Sequence, residues 1–385
     1  MENKTCKLME RCGACHLLHL SYEDTIEYKK KLVLDSFKKE GINAKIDKFI
    51  AAKYPYKYRN KMIIGFQMQK GKVISGFFEE NSHKIIDLDN CIMHSDLQNK
   101  IANYIKKLVI DFHVSIYDED RRSGLLRYVL IREAVHTKEV LITFVVASDI
   151  FPSSKEIIKR IVSEFKEVKA VIQNVNNRKT SIVLGEKEKI LYGRPYIVDE
   201  LMNLKFKITS KSFYQVNPVQ VEYLYSEAIS AIKLKGNETI IDAYSGIGTI
   251  GLIMSKNAGK VISVELNRQA YLAAIQNAKD NNIKNVYFKN ADASEYIKEL
   301  ENEDVDYVVM DPPRTGSTPV FLNTLLKLSP KGIVYVSCDP QTLARDLKIL
   351  LKKYEIKHVS VVDMFCFTKH IECVCLLTNR ARNTN

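Results

Sequence analysis

The second half of the chain alternates short apolar runs with segments long enough for a helix, and this regularity limits the fold more than any other feature. The apolar runs stand at 239–243, 261–265, 286–288, 305–310 and 333–337. Parallel strands need a crossover connection of about a dozen or more residues, usually a helix. The pattern therefore predicts an α/β domain built on a mostly parallel, doubly wound sheet.

Two final apolar runs, at 359–364 and 372–377, have no helix-length segment between them. They predict an antiparallel hairpin, and we expect it to place an antiparallel strand at the edge of the sheet. A sheet that ends in this way is typical of the methyltransferase variant of the Rossmann-like fold. We therefore expect a Rossmann-like methyltransferase domain over residues 208–385.

The first 207 residues mix helical and extended patterns without a repeat. Ser21 is a suitable cap for a helix that extends to about residue 39, where Gly41 ends it. Residues 54–78 are typical of a hairpin. Further strands are expected at 125–134, 140–147 and 170–174, and helices near 95–110 and 153–167. We assign residues 1–207 to a separate, mixed α+β domain.

Most of the net charge of +12 lies in this first domain, which holds 37 lysines and arginines against 27 acids, whereas residues 208–385 hold 21 against 19. A positive surface attracts polyanions, so nucleic acid is the first partner to consider. The tyrosines that alternate with basic residues at 54–61 suit stacking on unpaired bases. A lysine-rich soluble surface and an ordinary amphipathic strand would explain the same residues without RNA.

No apolar run approaches the roughly 18 residues that a membrane helix needs, and the first residues lack the apolar core of a signal peptide. We therefore expect a soluble, cytoplasmic protein that uses no membrane and needs no protein partner. Its eight cysteines then predict free thiols, metal ligands or catalytic groups rather than disulfides.

Four of the cysteines form a three-plus-one set: Cys6, Cys12, Cys15 and Cys91. Four thiolates suit either a structural zinc ion or an iron–sulfur cluster. Structural zinc usually takes two closely spaced pairs of ligands, so the spacing favours a 4Fe-4S cluster over zinc. The alternative is that these four cysteines bind no metal and are small apolar residues scattered in the core.

The turn after the first strand of the second half contains Gly246, Gly248 and Gly251, and glycine lets the backbone approach a ligand closely. Glu265 ends the next strand, from which a carboxylate can accept hydrogen bonds from both hydroxyls of an adenosine ribose. These features fit NAD as well as S-adenosylmethionine. S-adenosylmethionine is favoured by Asp242, an acid four residues before the first glycine, and by the sequence Asp-Pro-Pro-Arg at 311–314.

Enzymes that methylate exocyclic amino groups of flipped bases have Asp-Pro-Pro followed by an aromatic residue. Arg314 stands in that position here, so amino methylation is the weaker alternative. Cys338 closes the fifth strand, and Glu372 begins a later one. A thiol and a carboxylate at one sheet edge suit covalent catalysis on an unreactive ring carbon. The alternative without catalysis is that Cys338 is a buried cysteine of the strand and Glu372 a solvated carboxylate at a strand start.

Taken together, these motifs resemble the RNA uracil-5 methyltransferase family, and within it the iron–sulfur members that methylate 23S ribosomal RNA. The resemblance covers nearly the whole chain. It rests on the four cysteines, the run Lys-Ser-Phe-Tyr-Gln-Val-Asn-Pro at 211–218, the glycine loop, Asp-Pro-Pro-Arg at 311–314, Ser-Cys-Asp-Pro at 337–340, and Glu372.

The resemblance implies roles for individual residues. Cys338 would be the nucleophile that adds to carbon 6 of uracil, and Glu372 would be the base that removes the proton from carbon 5. Phe213 would lie near the target base. S-adenosylmethionine would be bound by Gln215, Tyr244, Gly246, Gly248, Glu265 and Asp311, and the 4Fe-4S cluster by Cys6, Cys12, Cys15 and Cys91.

The implied product is 5-methyluridine in 23S ribosomal RNA. Methylation of transfer RNA is one alternative, and a non-catalytic RNA-binding or ribosome-assembly module is another. The five-residue spacing between Cys6 and Cys12 favours the ribosomal target.

Two features depart from the family pattern. We expect no small β-barrel RNA-binding domain of the TRAM type before Cys6, and we therefore expect the basic first domain to capture RNA. Cys366 and Phe367 stand where relatives usually have proline and a polar residue, so we expect a different shape for the loop before Glu372.

The chemistry also needs an ionised thiol. A free cysteine has a pKa of about 8.5, so only a small fraction is thiolate near neutral pH. We expect the helix that starts at Pro340 to lower the pKa of Cys338 through its dipole.

Overall fold

The first half of the chain forms a seven-stranded sheet with helices on one side. The computed structural model describes residues 6–179, 182–300 and 303–382. The elements of the first half are α1 (Tyr22–Lys39), β1 (Lys48–Ile50), β2 (Lys61–Gln69), β3 (Lys72–Phe78), β4 (Ile85–Asp87), α2 (Asp96–Asp111), β5 (Leu126–Glu133), β6 (Val140–Val146), α3 (Ser154–Glu164), β7 (Val168–Val175) and β8 (Lys187–Gly193).

The sheet has the strand order β4-β3-β2-β5-β6-β7-β8. Successive side chains of a strand point to opposite faces, and every residue of β6 is buried. Ile142 packs in the core that contains α2 and α3, whereas Leu141 packs in a second core on the other face. The helices and strands expected in the first half are confirmed. Strands β1, β4 and β8 are not predicted, because two have only three residues and the third is mainly exposed.

The second half forms the remaining elements. In chain order they are β9 (Ile197–Leu201), β10 (Leu204–Ile208), α4 (Pro218–Ser230), β11 (Thr239–Ala243), α5 (Thr249–Met254), β12 (Lys260–Glu265), α6 (Arg268–Asp280), β13 (Val286–Asn290), α7 (Ala293–Glu299), β14 (Tyr307–Met310), α8 (Pro319–Leu328), β15 (Gly332–Ser337), α9 (Pro340–Leu350), β16 (Tyr354–Val362), β17 (Glu372–Asn379) and a 3₁₀ turn (Arg380–Arg382).

The second sheet has eight strands in the order β1-β16-β17-β15-β14-β11-β12-β13. Strands β11 to β15 pair with one another in parallel, and a helix lies between each two of them that follow along the chain. The predicted α/β architecture with a mostly parallel sheet is confirmed.

The predicted antiparallel edge strand is wrong. β16 and β17 form the expected antiparallel hairpin, but β17 lies between β15 and β16. β1 pairs in parallel with the outer side of β16, with Phe49 opposite Val361. A strand from the front of the chain thus covers the hydrogen-bonding edge that β16 would otherwise expose. Three residues are too few to show a strand periodicity, so the sequence does not reveal β1.

Helix α1 also packs against the second sheet. Val33 and Phe37 share a core with Tyr335 of β15. The antiparallel hairpin of β9 and β10 packs Phe206 in the same core as Leu224 of α4. A domain boundary between residues 207 and 208 stays a prediction, and the second sheet takes an edge strand and a covering helix from residues before it.

Among the helices that the structure describes, none is both long enough and apolar enough to span a lipid bilayer.

Candidate active site

The carboxyl ends of the parallel strands lie at one edge of the second sheet. Ala243 of β11 pairs with Met310 of β14, and Met310 pairs with Tyr335 of β15. The residues that directly follow the first two strands, Tyr244 and Asp311, therefore lie close together. Open α/β sheets bind their ligands in the crevice outside these strand ends.

The loop after β11 is shaped by positive φ angles. Gly246 has φ +58° and Gly248 has φ +84°, which glycine adopts at little cost. Tyr244 has φ +64°, a conformation that is uncommon for residues with a side chain and is often found at functional sites. Glu265 holds the loop, because its carboxylate accepts hydrogen bonds from the backbone N–H of Gly246 at 2.8 Å and of Asn267 at 2.7 Å.

Asp242 fixes the start of α5 from inside the protein. Its Oδ2 accepts a hydrogen bond from the N–H of Gly251 at 2.9 Å and one from Oγ of Ser263 at 3.4 Å. A Cβ at Gly251 would lie 2.6 Å from both oxygens, so the close packing requires glycine. Burial, with a smaller contribution from the negative charge of Asp311, raises the pKa of Asp242 to about 7.

A cleft with about 510 Å³ of open space lies outside these strand ends. It brings together four of the residues predicted to bind the cofactor, Gln215, Tyr244, Gly246 and Asp311. Glu265 does not line this cleft and acts on it by holding the loop, while Gly248 is the N-cap of α5. Further lining residues are Phe213, Tyr214, Tyr225, Asp242, Ser245 and Thr249.

Four polar lining residues are not predicted from the sequence: Tyr214, Tyr225, Ser245 and Thr249. Tyr225 of α4 shares a hydrogen bond with Thr249 at 3.1 Å. The hydroxyls of Tyr214 and Ser245 are buried without a hydrogen-bonding partner among the described residues. Buried polar groups are normally paired, so a ligand in the cleft would find two hydroxyls ready to bond. Their places in the run 211–218 and in the glycine loop are the signals that could have identified them.

Cys338 directly follows β15, and Glu372 is the first residue of the neighbouring antiparallel strand β17. Ser337 at the end of β15 pairs with Cys373 of β17, so the next position sets Cys338 across from Glu372. Residues directly opposite in such a pair are in side-chain contact range on one face. Cys338 is partly exposed, whereas Glu372 is only 3% exposed and its Oε2 has no hydrogen-bonding partner among the described residues.

Burial and like charge favour the neutral forms of these groups. Burial raises the pKa of Asp311 to about 7 and the pKa of Glu372 well above its usual range, and Asp311 adds to the latter shift. Burial, followed by the charges of Glu372 and Asp311, raises the pKa of Cys338 to about 12. The expected lowering of the pKa of Cys338 by α9 is therefore wrong. The Asp339 carboxylate already accepts hydrogen bonds from two amides of the first helical turn, at 2.9 and 3.1 Å.

Arg314 supplies the opposing charge. Its Nε lies 3.6 Å from Oδ2 of Asp339, its side chain is 64% exposed, and its positive charge lowers the pKa of Cys338 against the larger effect of burial. A cationic ligand in the cleft would likewise lower the pKa values of Asp311, Glu372 and Cys338, because an adjacent positive charge stabilises each ionised form.

The loop between β16 and β17 contains the unusual residues noted in the sequence. Phe367 is fully buried with φ +58°, and its ring stacks on Tyr56 with 5.1 Å between centroids. Cys366 is also buried, with Sγ 3.7 Å from the carbonyl oxygen of Asp363. These two side chains therefore join the loop to the core of the first half of the chain. Glu372 follows directly at the start of β17.

The four cysteines of the predicted cluster approach one another. Cys6, Cys12 and Cys15 are partly buried on one loop, and Cys91 is buried on a turn. Burial raises the pKa of Cys15 to about 12; the other three thiols raise it further when ionised, and Arg59 lowers it. The four sulfurs are therefore within electrostatic range of each other and of one guanidinium. Arg59 also donates a hydrogen bond to a backbone carbonyl of the same loop at 3.2 Å.

Within the described ranges, no group of three or more His, Cys, Asp or Glu side chains is arranged around a single metal-ion position. Zinc requires all four thiolates on one ion, whereas a 4Fe-4S cluster takes each thiolate on a different iron and spreads them further apart. The all-thiol donor set beside the partly buried Arg59 fits the charge of such a cluster. The metal site itself stays a prediction.

Comparison with known proteins agrees with the architecture of the cleft. Residues 21–380 match the family described as tRNA (Uracil-5-)-methyltransferase. An uncharacterized RNA methyltransferase of Clostridium tetani is 40% identical over 377 residues, which are 97% of this chain and 82% of the relative. One of Staphylococcus aureus (strain MSSA476) is 39% identical over 376 residues, 96% of this chain and 83% of the relative.

A solved structure also resembles the chain over most of its length. It is the Pyrococcus abyssi tRNA (uracil-54, C5)-methyltransferase in complex with S-adenosyl-L-homocysteine. The TM-score is 0.81 at 27% sequence identity, and the match covers 97% of this chain and 87% of that one.

Proposed function

The chain belongs to the tRNA (uracil-5-)-methyltransferase family of RNA methyltransferases, and we propose that it methylates carbon 5 of a uridine, with 23S ribosomal RNA as the target. The observation that carries the proposal is the position of Cys338 opposite Glu372, at the edge of the sheet where the cleft opens. A nucleophile and a base beside a cofactor cleft are what methylation of an electron-poor ring carbon requires.

The cleft residues fit S-adenosylmethionine. This cofactor supplies a methyl group on a positively charged sulfur. The carboxyl groups of Asp242 and Asp311 line the cleft, and both have pKa values of about 7, so a bound cation would favour their ionised forms. Gln215 and Ser245 present polar groups to the same space, and Glu265 keeps the glycine loop in place.

In the proposed reaction, the thiolate of Cys338 forms a bond to carbon 6 of uracil, and the electron pair of the 5,6 double bond moves toward the carbonyl at position 4. Carbon 5 then takes the methyl group, and S-adenosylhomocysteine is left. Glu372 removes the proton from carbon 5, the double bond re-forms, and Cys338 leaves as a thiolate.

Loss of the positive charge in the cleft would change the basicity of Glu372 during the reaction. The positive charge in the cleft is lost when the methyl group is transferred, so the pKa of Glu372 rises again at that moment. The carboxylate thereby becomes a stronger base in the step that follows. Its Oε2, which has no hydrogen-bonding partner within the described ranges, is the atom available for the proton.

Two variants test this sequence of steps. Cys338→Ala should abolish methyl transfer and the covalent RNA complex, because no bond to carbon 6 can form. Glu372→Gln should accumulate a covalent complex that survives a denaturing gel. Cys375→Ala is the matched control, since this thiol is buried in β17 away from the cleft. Methyl transfer by Cys338→Ala would favour amino methylation, and no release of tritium from 5-tritiated uridine RNA by the wild type would favour a non-catalytic RNA-binding protein.

The RNA target is proposed from the cysteine set, which the chain shares with the ribosomal-RNA members that it resembles. Transfer RNA is the second candidate, because the solved structure with a TM-score of 0.81 is a transfer RNA (uracil-54, C5)-methyltransferase. Mapping 5-methyluridine in both RNA classes from a strain that lacks the gene distinguishes them. Loss of the modification from transfer RNA alone would overturn the ribosomal assignment.

We also propose that Cys6, Cys12, Cys15 and Cys91 hold a 4Fe-4S cluster, which would tie the first loop of the chain to the turn before α2. The all-thiol donor set near Arg59 supports it. Protein purified without oxygen should be brown and contain iron and sulfide, and Cys91→Ser should lose both. A colourless protein with stoichiometric zinc would overturn the cluster in favour of zinc.

A further inference from the structure

One lysine is completely buried outside the cleft. Lys29 of α1 is 0% exposed, and its Nζ lies 2.5 Å from Oδ1 of Asp363. The same ammonium group donates a hydrogen bond to the carbonyl of Phe365 at 2.9 Å. A buried ammonium group is costly unless it is paired and hydrogen-bonded. The Lys29 ammonium group thus bonds to two residues of the loop between β16 and β17.

Three atoms of Asp363 form hydrogen bonds or an ion pair with residues from the first 50 positions of the chain. Besides Lys29 at Oδ1, the hydroxyl of Tyr22 donates to Oδ2 at 2.7 Å. The same tyrosine oxygen accepts a hydrogen bond from the N–H of Ala52 at 2.7 Å. The backbone N–H of Asp363 donates to the carbonyl of Ile50 at 2.9 Å. These contacts join α1 and the end of β1 to the first residue of the loop.

The middle of the loop is held in the same way. The hydroxyl of Tyr58 donates to the carbonyl of Cys366 at 3.1 Å, and the N–H of Leu17 donates to the carbonyl of Phe367 at 3.0 Å. The loop ends at Glu372, the first residue of β17. Displacement of Asp363 would therefore be transmitted along a short segment to the proposed base.

We propose that Lys29 is a positioning residue, which acts through Asp363 to hold the carboxyl group of Glu372 opposite Cys338; this inference rests on the proposed function. A buried ion pair is weak evidence for stability, since apolar residues of similar volume often replace such pairs without loss. A role in placing the loop accounts better for this pair, because its partners lie on the segment that ends in Glu372.

The effect of Lys29 should fall on one chemical step. Cys338 lies between β15 and α9, and the residues that line the cofactor cleft do not include Lys29. Addition of the thiolate and methyl transfer depend on those elements, whereas removal of the carbon 5 proton depends on Glu372. A misplacement of about 1 Å can slow a step by up to about a hundredfold.

The experiment compares Lys29→Met with wild type and with Lys31→Met, an exposed lysine on the same helix. The substrate is a 23S ribosomal RNA transcript containing 5-tritiated uridine, used with methyl-labelled S-adenosylmethionine in a single turnover. Lys29→Met should incorporate methyl label at nearly the wild-type rate and release tritium about tenfold or more slowly, with the covalent complex accumulating. Lys31→Met should match the wild type.

Tyr22→Phe provides a second test that leaves the ion pair intact. It removes one hydrogen bond to Asp363 and should shift the ratio of methyl incorporation to tritium release in the same direction, by less. If both ratios equal the wild-type ratio, or if both steps slow equally, Lys29 has no positioning role. If the wild type releases no tritium and the Glu372→Gln variant forms no covalent complex with RNA, the proposed function fails and this inference fails with it. A working wild type with an unchanged ratio in the variants overturns the inference alone.

Discussion

The affinity for S-adenosylmethionine should fall as the pH falls below 7, and Asp242→Asn should weaken this dependence. Burial raises the pKa values of Asp242 and Asp311 to about 7, so both are largely protonated at pH 5. A bound sulfonium and ammonium favour the ionised carboxylates. Binding at acidic pH must therefore release protons, and its full strength is reached only above pH 7.

The size of the effect follows from the pKa values. Ionising a carboxyl group at one pH unit below its pKa costs about 1.4 kcal/mol of free energy. At pH 5 the cost is about 2.7 kcal/mol for one carboxyl, roughly a hundredfold in affinity. The negative charge of Asp311 contributes to the raised pKa of Asp242, so the two ionisations are not independent and the wild type should lose between one and two such factors.

Isothermal titration calorimetry at pH 5, 6, 7 and 8, in buffers with different ionisation enthalpies, measures both the affinity and the number of protons released. Asp242→Asn should lower the number of protons released at pH 5 by up to about one, because one carboxyl group is removed. S-adenosylhomocysteine, whose sulfur is neutral, should show a flatter profile in the wild type. Equal pH slopes for Asp242→Asn and wild type, or tighter binding at pH 5 than at pH 8, would refute the reasoning.

Three further predictions concern stability and RNA binding. The raised pKa of Asp242 means that the folded protein binds more protons than the unfolded chain between about pH 4 and pH 7, so the free energy of unfolding should decrease as the pH rises through that window. Asp242→Asn should remove at most about 2.7 kcal/mol of the loss between pH 5 and pH 8, measured by urea unfolding at these two pH values. Gly251→Ala should cost about 1–3 kcal/mol in urea unfolding, because its Cβ would lie 2.6 Å from two oxygens; a stability equal to wild type would contradict the packing argument. Phe213, which is 70% exposed at the cleft, should bind RNA, so Phe213→Ala should weaken RNA affinity roughly tenfold in filter binding while thermal stability is unchanged, and an equal affinity would exclude stacking on a base.

The strands and turns of the second half could be predicted because their signals are local. The apolar runs from 239 to 337 alternate with helix-length segments, and Gly246 and Gly248 mark a turn that needs positive φ. The hairpin of β16 and β17 was equally visible. Its place inside the sheet was not, because β1 joins β16 across some 310 residues of sequence and has only three residues of its own.

The candidate site divides in a similar way. Residue types at strand ends predicted Cys338, Glu372 and Asp311, the glycine loop predicted Gly246, and the resemblance to the uracil-5 methyltransferase family implied Tyr244. The hydroxyls of Tyr214 and Ser245 could not be singled out, since their lack of a partner depends on what surrounds them in the folded chain.

The sequence by itself determined the chemical groups at the sheet edge and the order of the elements that carry them, because both follow from residue type and short-range periodicity. Only the tertiary structure decided the pKa values of these groups and the contacts that hold them in position. The pKa of Cys338 is raised to about 12 by burial and by carboxyl groups on other strands, against the expectation from its own helix. Lys29 reaches Asp363 across 334 residues. Burial and charge act through distances in space, and residue spacing along the chain does not contain those distances.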